Sequence, residues 1–189
     1  MRSSLGMETA VRNTLSNFSR EVTVDDGTVL TIRLLRSEER GKVRALLSRC
    51  SQESLRYRFL HPIKFLSESD LQHLIQMDGA QRVAFVVTRK NDDEQIIALG
   101  QYQALKDRPS VAEVSFLVED AMQRKGIGTA LLQTMTELAR QHGITRFSAD
   151  VLSDNRLMLS VFRHAGYALS SSTSYGVTHL EFPIVEGES

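Results

Sequence analysis

Two glycines one residue apart, Gly126 and Gly128, stand between an apolar run and a helical pattern in the stretch VSFLVEDAMQRKGIGTALLQ, residues 114–133. A strand, a short loop, a glycine turn and a helix in this order aim free backbone N–H groups and the positive end of a helix dipole at an anion. Phosphate is the obvious ligand, because the glycines let the backbone come close to its oxygens and Arg124 and Lys125 add positive charge. A purely structural tight turn stays open as the alternative.

The same stretch does not fit the two commonest nucleotide-binding motifs. The residues GIGTALL lack the Gly-Lys-Ser/Thr ending of a Walker A loop. Leu131 stands where the third glycine of a dinucleotide fingerprint belongs, and the preceding strands are typical of hairpins, not of a parallel unit.

The cysteine and the histidines give no evidence of a nucleophile or a metal site. Cys50 lies on the apolar face of a helical pattern, where we expect a buried, inert thiol and not an acyl-accepting nucleophile. No two histidines stand at metal-ligand spacing, so no metal site is predicted: His61, His73, His142, His164 and His179.

Apolar periodicity predicts one α/β domain around these groups. Seven stretches have strand composition: 29–35, 83–89, 95–105, 111–118, 145–152, 167–172 and 177–183. Five stretches have helical spacing: 37–50, 51–60, 67–77, 126–142 and 155–164. We divide the chain into an N-terminal arm with at most a short helix (1–24), a single domain (25–185) and a C-terminal tail (186–189).

Charge and composition narrow the class of partner. Lys plus Arg and Asp plus Glu both number 23, and a net charge of zero removes the electrostatic argument for a nucleic acid. No apolar run approaches the about 20 residues that a membrane-spanning helix requires, so no membrane partner is expected. The single cysteine and the absence of an apolar signal-peptide core at the N-terminus favour a cytoplasmic location.

The loop and its surroundings resemble the GNAT superfamily of acyl-CoA-dependent N-acetyltransferases. QRKGIG (123–128) matches the Q/R-x-x-G-x-G/A signature of that superfamily, and SDNRLMLSVFRHAGY (153–167) is similar to its second CoA-side segment. With SLRYRFLHPIKFLSESDL (54–71), these stretches resemble the acetyltransferase domain of bacterial Pat-type protein-lysine acetyltransferases. Those enzymes commonly carry an additional regulatory or synthetase-like domain, for which a chain of this length has no room, so regulation is left open.

The resemblance implies a fold and a set of cofactor contacts. The fold is α/β, with a central mixed, largely antiparallel sheet of about six to seven strands, flanked by helices and splayed into a V at the cofactor strand. The implied contacts to acetyl-CoA come from the strand, the loop and the start of the last helix: Phe116, Leu117, Val118, Gln123, Arg124, Lys125, Gly126, Ile127, Gly128, Thr129 and Asn155. For Asn155, a role as N-cap of the following helix is equally compatible with its position.

The resemblance also implies a general base, Glu113. An amine with a reference pKa of about 10.4 is protonated at neutral pH, so acetyl transfer requires a group that accepts a proton. By alternation along the strand, Glu113 faces the same side as Ser115 and Leu117, unless a bulge typical of the family changes the phase. The alternative for Glu113 is a solvated carboxylate at a strand edge, or one paired with an arginine.

The leaving group and the acceptor side are less determined. Many members carry a tyrosine that protonates the departing thiolate, but the matching residue here is Phe162. Because a thiol has a reference pKa of about 8.5, its thiolate is a tolerable leaving group, and we assign no general acid. Tyr57, Arg58 and Phe59 fall where the resemblance puts the acceptor side, although an amphipathic helix explains them equally well. The serine-rich residues 170–176 would form a loop beside the acceptor entrance.

The sequence therefore predicts an acetyl-CoA-dependent N-acetyltransferase that works by direct transfer in a ternary complex, with a protein lysine as the favoured acceptor and no metal. A homodimer through the late edge strands is left open. One alternative is a small amine acceptor such as a polyamine, an amino acid or an aminoglycoside, and it requires Glu53, Glu68, Asp70 and Glu113 to cluster around the pocket. Others are a non-catalytic acyl-CoA sensor and a nucleotide-binding regulator.

Overall fold

The computed structural model describes residues 18–185, which contain eight strands and five α-helices. The strands are β1 (Ser19–Thr23), β2 (Val29–Leu34), β3 (Arg82–Arg89), β4 (Asp92–Ala104), β5 (Val111–Val118), β6 (Arg146–Leu152), β7 (Ser170–Ser174) and β8 (Val177–Pro183). The helices are α1 (Arg40–Arg49), α2 (Gln52–Phe59), α3 (Glu68–Ile75), α4 (Ile127–Gln141) and α5 (Arg156–Arg163), and a single 3₁₀ turn (Asp120–Met122) precedes α4.

The strands form one sheet in the order β1-β2-β3-β4-β5-β6-β8-β7. Every neighbouring pair is antiparallel except β5 and β6, which confirms the predicted mixed, largely antiparallel sheet. The additional strand is β1, which pairs with β2 from Ser19 opposite Arg33 to Thr23 opposite Val29. The sheet thus begins ahead of the predicted domain boundary at residue 24. The rest of the predicted arm (1–17) and the predicted tail lie outside the described residues.

Both faces of the sheet centre are buried. Strand β3 shows this in its alternation, since Val83, Phe85 and Val87 belong to one apolar cluster and Ala84 and Val86 to the other. The first cluster also contains the apolar side chains of α4 and α5, and the second those of α1, α2 and α3. A sheet covered on both faces explains why its central strands are almost continuous apolar runs.

Local signals begin and end the helices. The Ser67 hydroxyl accepts from the Asp70 amide while the Asp70 carboxylate accepts from the Ser67 amide, so the predicted capping box at the start of α3 is confirmed. Helix α4 starts after Gly126 and ends before Gly143, and both glycines have a positive φ, 84° and 78°. Between residues 18 and 185, no helix is long and apolar enough to cross a membrane.

The sheet opens into a V between β5 and β6. The two strands pair over only three positions, from Val111 opposite Arg146 to Glu113 opposite Ser148. Beyond Glu113, β5 stays with β4 as far as Val118, while β6 stays with β8 as far as Leu152. The predicted splay is therefore confirmed, and it leaves one edge of β5 without a strand partner.

Candidate active site

The loop after β5 presents backbone amides at the start of α4. The first intrahelical hydrogen bond runs from the Ala130 amide to the Gly126 carbonyl at 3.0 Å, so the amides from Gly126 to Thr129 have no acceptor within the helix. The first turn of α4 carries no acidic residue that would compete for them. Gly126 permits the turn because its φ of 84° is strained for any residue with a Cβ. These amides, together with the helix dipole, make an anion site.

Gly128 has a different reason to be a glycine. A Cβ built at this position would lie 3.3 Å from Cγ2 of Val161 on α5, so its absence allows α4 and α5 to approach closely. That approach narrows the space between the starts of the two helices, which line a cleft of about 370 Å³.

The side chain of Lys125 does not take the predicted place beside the phosphate. Its Nζ lies 2.5 Å from Oδ2 of Asp26, in the turn between β1 and β2. The Lys125 hydrogen bond is the main reason why the pKa of the Asp26 carboxyl is held far below its usual range. The Lys125 carbonyl also accepts a hydrogen bond from the Asp25 amide at 3.1 Å, so Lys125 ties the glycine loop to the β1–β2 turn.

A cleft of about 370 Å³ runs from this loop to the open edge of β5. All of the predicted cofactor-contacting residues except Lys125 line it. The other wall is formed by α2, through Glu53, Ser54 and Tyr57, and by the start of α5. Gln123 closes the corner, because its Nε2 donates to Oγ of Ser54 at 3.0 Å and to the Val118 carbonyl at 3.1 Å.

The unpaired edge of β5 offers main-chain donors to this cleft. The Glu119 amide donates to the Ile97 carbonyl on β4 at 2.9 Å, and the β4–β5 register shows no bulge. Because successive amides of a strand point to opposite neighbours, those of Phe116 and Val118 face the V and not β4. Two amides at this spacing can pair with an extended amide chain and can donate to a carbonyl oxygen.

Asn155 fulfils the structural role that the sequence left open. It is 9% exposed, and its side chain accepts from the Met158 amide at 3.2 Å as the N-cap of α5. It also lines the cleft, so the two predicted roles are compatible in this geometry.

Phe162 is 2% exposed and packs between Phe116 and Phe182, with its ring centroid 5.9 Å and 5.7 Å from theirs. An apolar ring therefore lies where a tyrosine would supply a hydroxyl.

A narrow passage crosses the sheet through the V. It encloses about 40 Å³ and shares four lining residues with the cofactor cleft: Tyr57, Phe116, Asn155 and Met158. On the far side it meets a second cleft of about 220 Å³ under α2 and α3, and the lining residues common to both are Arg58 and Ser115. Glu113 lies in the wall of this second cleft. The cofactor cleft, the passage and the second cleft therefore adjoin one another across the sheet.

Glu113 faces the second cleft without a hydrogen bond or ion pair to any described residue. Its phase along β5 matches that of Ser115 and Leu117, as alternation predicts, because Ala112, Val114 and Phe116 belong to the cluster on the opposite face. Its surface is accessible through the cleft, yet the surrounding protein still removes part of its hydration. This desolvation, and after it the negative charge of Asp150, raises the pKa of the Glu113 carboxyl, and the charges of Arg58 and His179 offset the rise only partly.

Two acidic residues that the sequence reasoning missed hold α2 over the cofactor cleft. The Asp120 carboxylate accepts from the Ser51 amide at 2.8 Å and from the hydroxyls of Ser51 and Ser54 at 2.6 and 2.9 Å. The Asp154 carboxylate pairs with Arg56 at 2.6 Å. Both partners are far away in sequence, so no local pattern could have identified these contacts.

The acidic residues that a cationic small acceptor requires do not cluster. Glu53 lines the cofactor cleft, and Glu68 pairs with Arg40 and Arg44 on α1. Asp70 lines the second cleft with Glu113, but its carboxylate is occupied by the capping box. Between residues 18 and 185, no group of three or more His, Cys, Asp or Glu could hold a metal ion.

Cys50 lies away from these clefts, in the apolar cluster under α1. It is 9% exposed, and burial raises the pKa of its thiol to about 12. A thiol with so high a pKa is not an acyl-accepting nucleophile at neutral pH.

Comparison with known proteins relates this geometry to a family. Residues 43–167 match the model of the acetyltransferase (GNAT) family. An acetyltransferase of Pseudomonas aeruginosa is 29% identical over 136 residues, which cover 71% of this chain and 73% of that protein. The acetyltransferase Pat of Mycolicibacterium smegmatis is 30% identical over 116 residues, which cover 61% of this chain but only 34% of that longer protein.

A solved structure gives the same relationship. The GNAT domain of S. lividans PAT superimposes with a TM-score of 0.80 at 32% identity, and the match covers 87% of this chain and 96% of that domain. The family model spans well over half of the chain, begins within α1, and includes the V and the glycine loop. This protein therefore belongs to the GNAT family of acetyltransferases and is an acyltransferase.

Proposed function

We propose that this protein transfers the acetyl group of acetyl-CoA directly to the side-chain amine of a protein lysine in a ternary complex, with Glu113 as general base. The observation that carries this proposal is the path that three adjoining clefts describe through the sheet. It leads from an anion-binding helix start, past the free amides of β5, to a second cleft that holds an unpaired carboxylate. A thioester laid along this path would reach the amine from the opposite side of the sheet.

The residues of the cofactor cleft fit acetyl-CoA. Amides at the start of α4 suit a pyrophosphate, and the edge of β5 suits the amide-rich pantetheine arm. The amides of Phe116 and Val118 point to where the thioester carbonyl would lie and would stabilise negative charge that develops on its oxygen. A passage of about 40 Å³ has room only for a short acyl chain, and the acetyl group fits that size.

Glu113 has the properties that a base needs for this reaction. It lies beside Ser115, where the passage ends, and it has no partner that would have to be displaced. Desolvation raises the pKa of Glu113, and a carboxylate with a raised pKa is a better proton acceptor. In the transfer, the amine nitrogen forms a bond to the carbonyl carbon, Glu113 takes the proton from nitrogen, and the C–S bond breaks.

The acceptor class rests on charge and on the resemblance to Pat. The acceptor cleft, meaning the second cleft lined by Glu113, also contains Arg58 and Arg82 and has no free acidic cluster, which argues against a polyamine. The similarity to the S. lividans and M. smegmatis acetyltransferases supports a protein lysine. A small amine remains the second candidate, since the acceptor cleft of about 220 Å³ could enclose one.

The test is the release of free CoA from acetyl-CoA with a panel of acceptors: lysine-bearing proteins including acyl-CoA synthetases, polyamines, amino acids and aminoglycosides. We expect turnover on proteins, and a loss of about 10²- to 10⁴-fold in kcat in Glu113→Gln, because that variant removes the base without changing side-chain size. Glu94→Gln is the matched control, since Glu94 is an exposed glutamate in the β3–β4 hairpin. Turnover on small amines alone refutes the lysine assignment. Binding without any turnover indicates a sensor.

A further inference from the structure

Arg33 is buried and Arg58 is partly buried, and the partners of these two arginines differ. Arg33 is 5% exposed and binds two carboxylates, with Glu39 at 2.6 Å and Asp93 at 2.8 Å. Arg58, on α2, donates to the amide oxygen of Gln101, and among the described residues no carboxylate lies within ion-pair distance of it. Arg33 shows how the fold compensates a structural guanidinium, and Arg58 lacks that compensation.

The charge of Arg58 is costly where it lies. Desolvation lowers the pKa of its guanidinium to about 10, and the charge of Glu113 counteracts this only in part. The group still carries a proton at neutral pH. A partly buried charge without an ion-paired carboxylate is unfavourable, so Arg58 is suited to an anion that binds beside it.

The position of Arg58 is fixed at the point where the reaction must occur. Arg58 and Ser115 line both the passage and the acceptor cleft. Gln101 stands opposite Ser115 in the β4–β5 register, and its Nε2 donates to the Leu74 carbonyl at 2.7 Å. Gln101 is thereby held with its amide oxygen toward Arg58, which holds the guanidinium over the end of the passage.

We infer that Arg58 stabilises the negative charge that develops on the CoA sulfur when the thioester breaks, in place of a proton donor. This inference rests on the proposed function. The amine attacks the carbonyl carbon, Glu113 accepts the proton from nitrogen, and the electron pair of the C–S bond leaves on sulfur as a thiolate at the passage that Arg58 lines. The thiolate takes its proton from solvent afterwards. Phe162 offers no hydroxyl at the passage, so the thiolate is stabilised there by a fixed cation and not by proton transfer.

Two other uses of the charge lead to different observations. If Arg58 binds a carboxylate on the acceptor, its loss raises KM only for acceptors that carry one. If Arg58 only keeps Glu113 ionised, its loss shifts the acidic limb of the rate profile and leaves the sulfur unaffected. A cation near the sulfur instead lowers the thiol pKa of bound CoA.

The experiment measures that thiol pKa through binding. Dissociation constants for CoA and for desulfo-CoA, in which hydrogen replaces the thiol, are determined by calorimetry from pH 6.5 to 9.5 for the wild type, Arg58→Gln, Arg58→Lys and Arg82→Gln. Arg82 is the matched control because it lines the acceptor cleft but not the passage. Desulfo-CoA cancels the titration of the charged and titratable groups around the site: Tyr57, Asp70, His73, Glu113, Asp150 and His179.

We expect the wild type to prefer CoA over desulfo-CoA increasingly as pH rises, by about tenfold for each unit by which the bound thiol pKa falls below its reference of about 8.5. Arg82→Gln should behave like the wild type, Arg58→Lys should keep part of the preference, and Arg58→Gln should lose it. Equal affinity for desulfo-CoA in all variants shows that the fold is intact. The inference is overturned if the preference is absent in the wild type or unchanged in Arg58→Gln. If neither ligand binds the wild type, the proposed function itself fails.

Discussion

Replacing Gly126 with alanine tests the anion site at the start of α4. Gly126 has a φ of 84°, and a Cβ there would lie 3.2 Å from Oδ1 of Asp25. The carboxylate is the free end of a side chain and can move by a few tenths of an ångström. The left-handed backbone cannot be relieved in the same way, and it costs a residue with a Cβ about 1–2 kcal/mol.

The cost to ligand binding follows from the amides that this conformation aligns. If the loop relaxes to relieve the strain, the amides of Ile127 and Gly128 turn away from the pyrophosphate. A hydrogen bond to a charged group contributes about 1.5–3 kcal/mol, so the loss of one such bond weakens acetyl-CoA binding by about 10- to 150-fold.

The assay compares acetyl-CoA with S-acetylpantetheine, which lacks the pyrophosphate, in calorimetric titrations of wild type, Gly126→Ala and Gly143→Ala. Gly143 ends the same helix with a φ of 78° and open space around the Cβ position, so its replacement introduces similar strain far from the cleft. We expect only Gly126→Ala to lose affinity for acetyl-CoA, and neither variant to lose affinity for the shorter thioester. Equal losses for both ligands, or equal affinities for acetyl-CoA in the two variants, would refute the phosphate assignment.

Three further predictions concern ionisable groups. Glu39→Gln removes one of the two carboxylates that bind Arg33, while Asp93 still pairs with it, and should cost about 1.5–3 kcal/mol in urea unfolding at pH 7. Burial alone would raise the pKa of Glu39, but hydrogen bonds, above all from Arg33, hold it below its usual value. The difference in unfolding free energy between the variant and wild type should therefore shrink as pH falls through that pKa. A constant difference down to pH 3 would contradict the pairing. As pH is lowered through the raised pKa of Glu113, the kcat/KM of wild type should fall. Asp150→Asn removes a like charge and should move this acidic limb of the pH–rate profile to lower pH. An unmoved limb excludes Glu113 as the titrating base. Cys50, whose thiol pKa burial raises to about 12, should react with a disulfide reagent at pH 8 only in denaturant, and rapid labelling of the native protein would contradict its burial.

The sequence alone was sufficient where the physics is local. The capping box of Ser67 and Asp70 spans three residues, and the turn at Gly126 depends on a single φ, so both can be read from neighbouring positions. The phase of Glu113 could likewise be predicted, because alternation along a strand without a bulge fixes which face each side chain occupies.

Strand identity at the two sheet edges was decided by pairing and not by composition. Ser19–Thr23 is mostly polar, and it is a strand because β2 offers it a free edge. The sequence predicted a strand over 167–172 and a loop over 170–176, whereas the strand is Ser170–Ser174, which is exposed along its whole length and is ordered by its register with β8. Neither stretch has an apolar face that a sequence pattern could reveal.

The details of the site depended on contacts between residues far apart in the chain. Lys125 turns away from the cofactor cleft because Asp26, 99 residues earlier, takes its charge. Arg58 meets Gln101 across 43 residues, at the one place where the passage opens into the acceptor cleft. The sequence determined which groups with suitable chemistry were present and in what local conformations, since those follow from backbone preference and periodicity. Only the tertiary structure decided which charges find a partner and which remain free to act, because that depends on where separate elements bring them together.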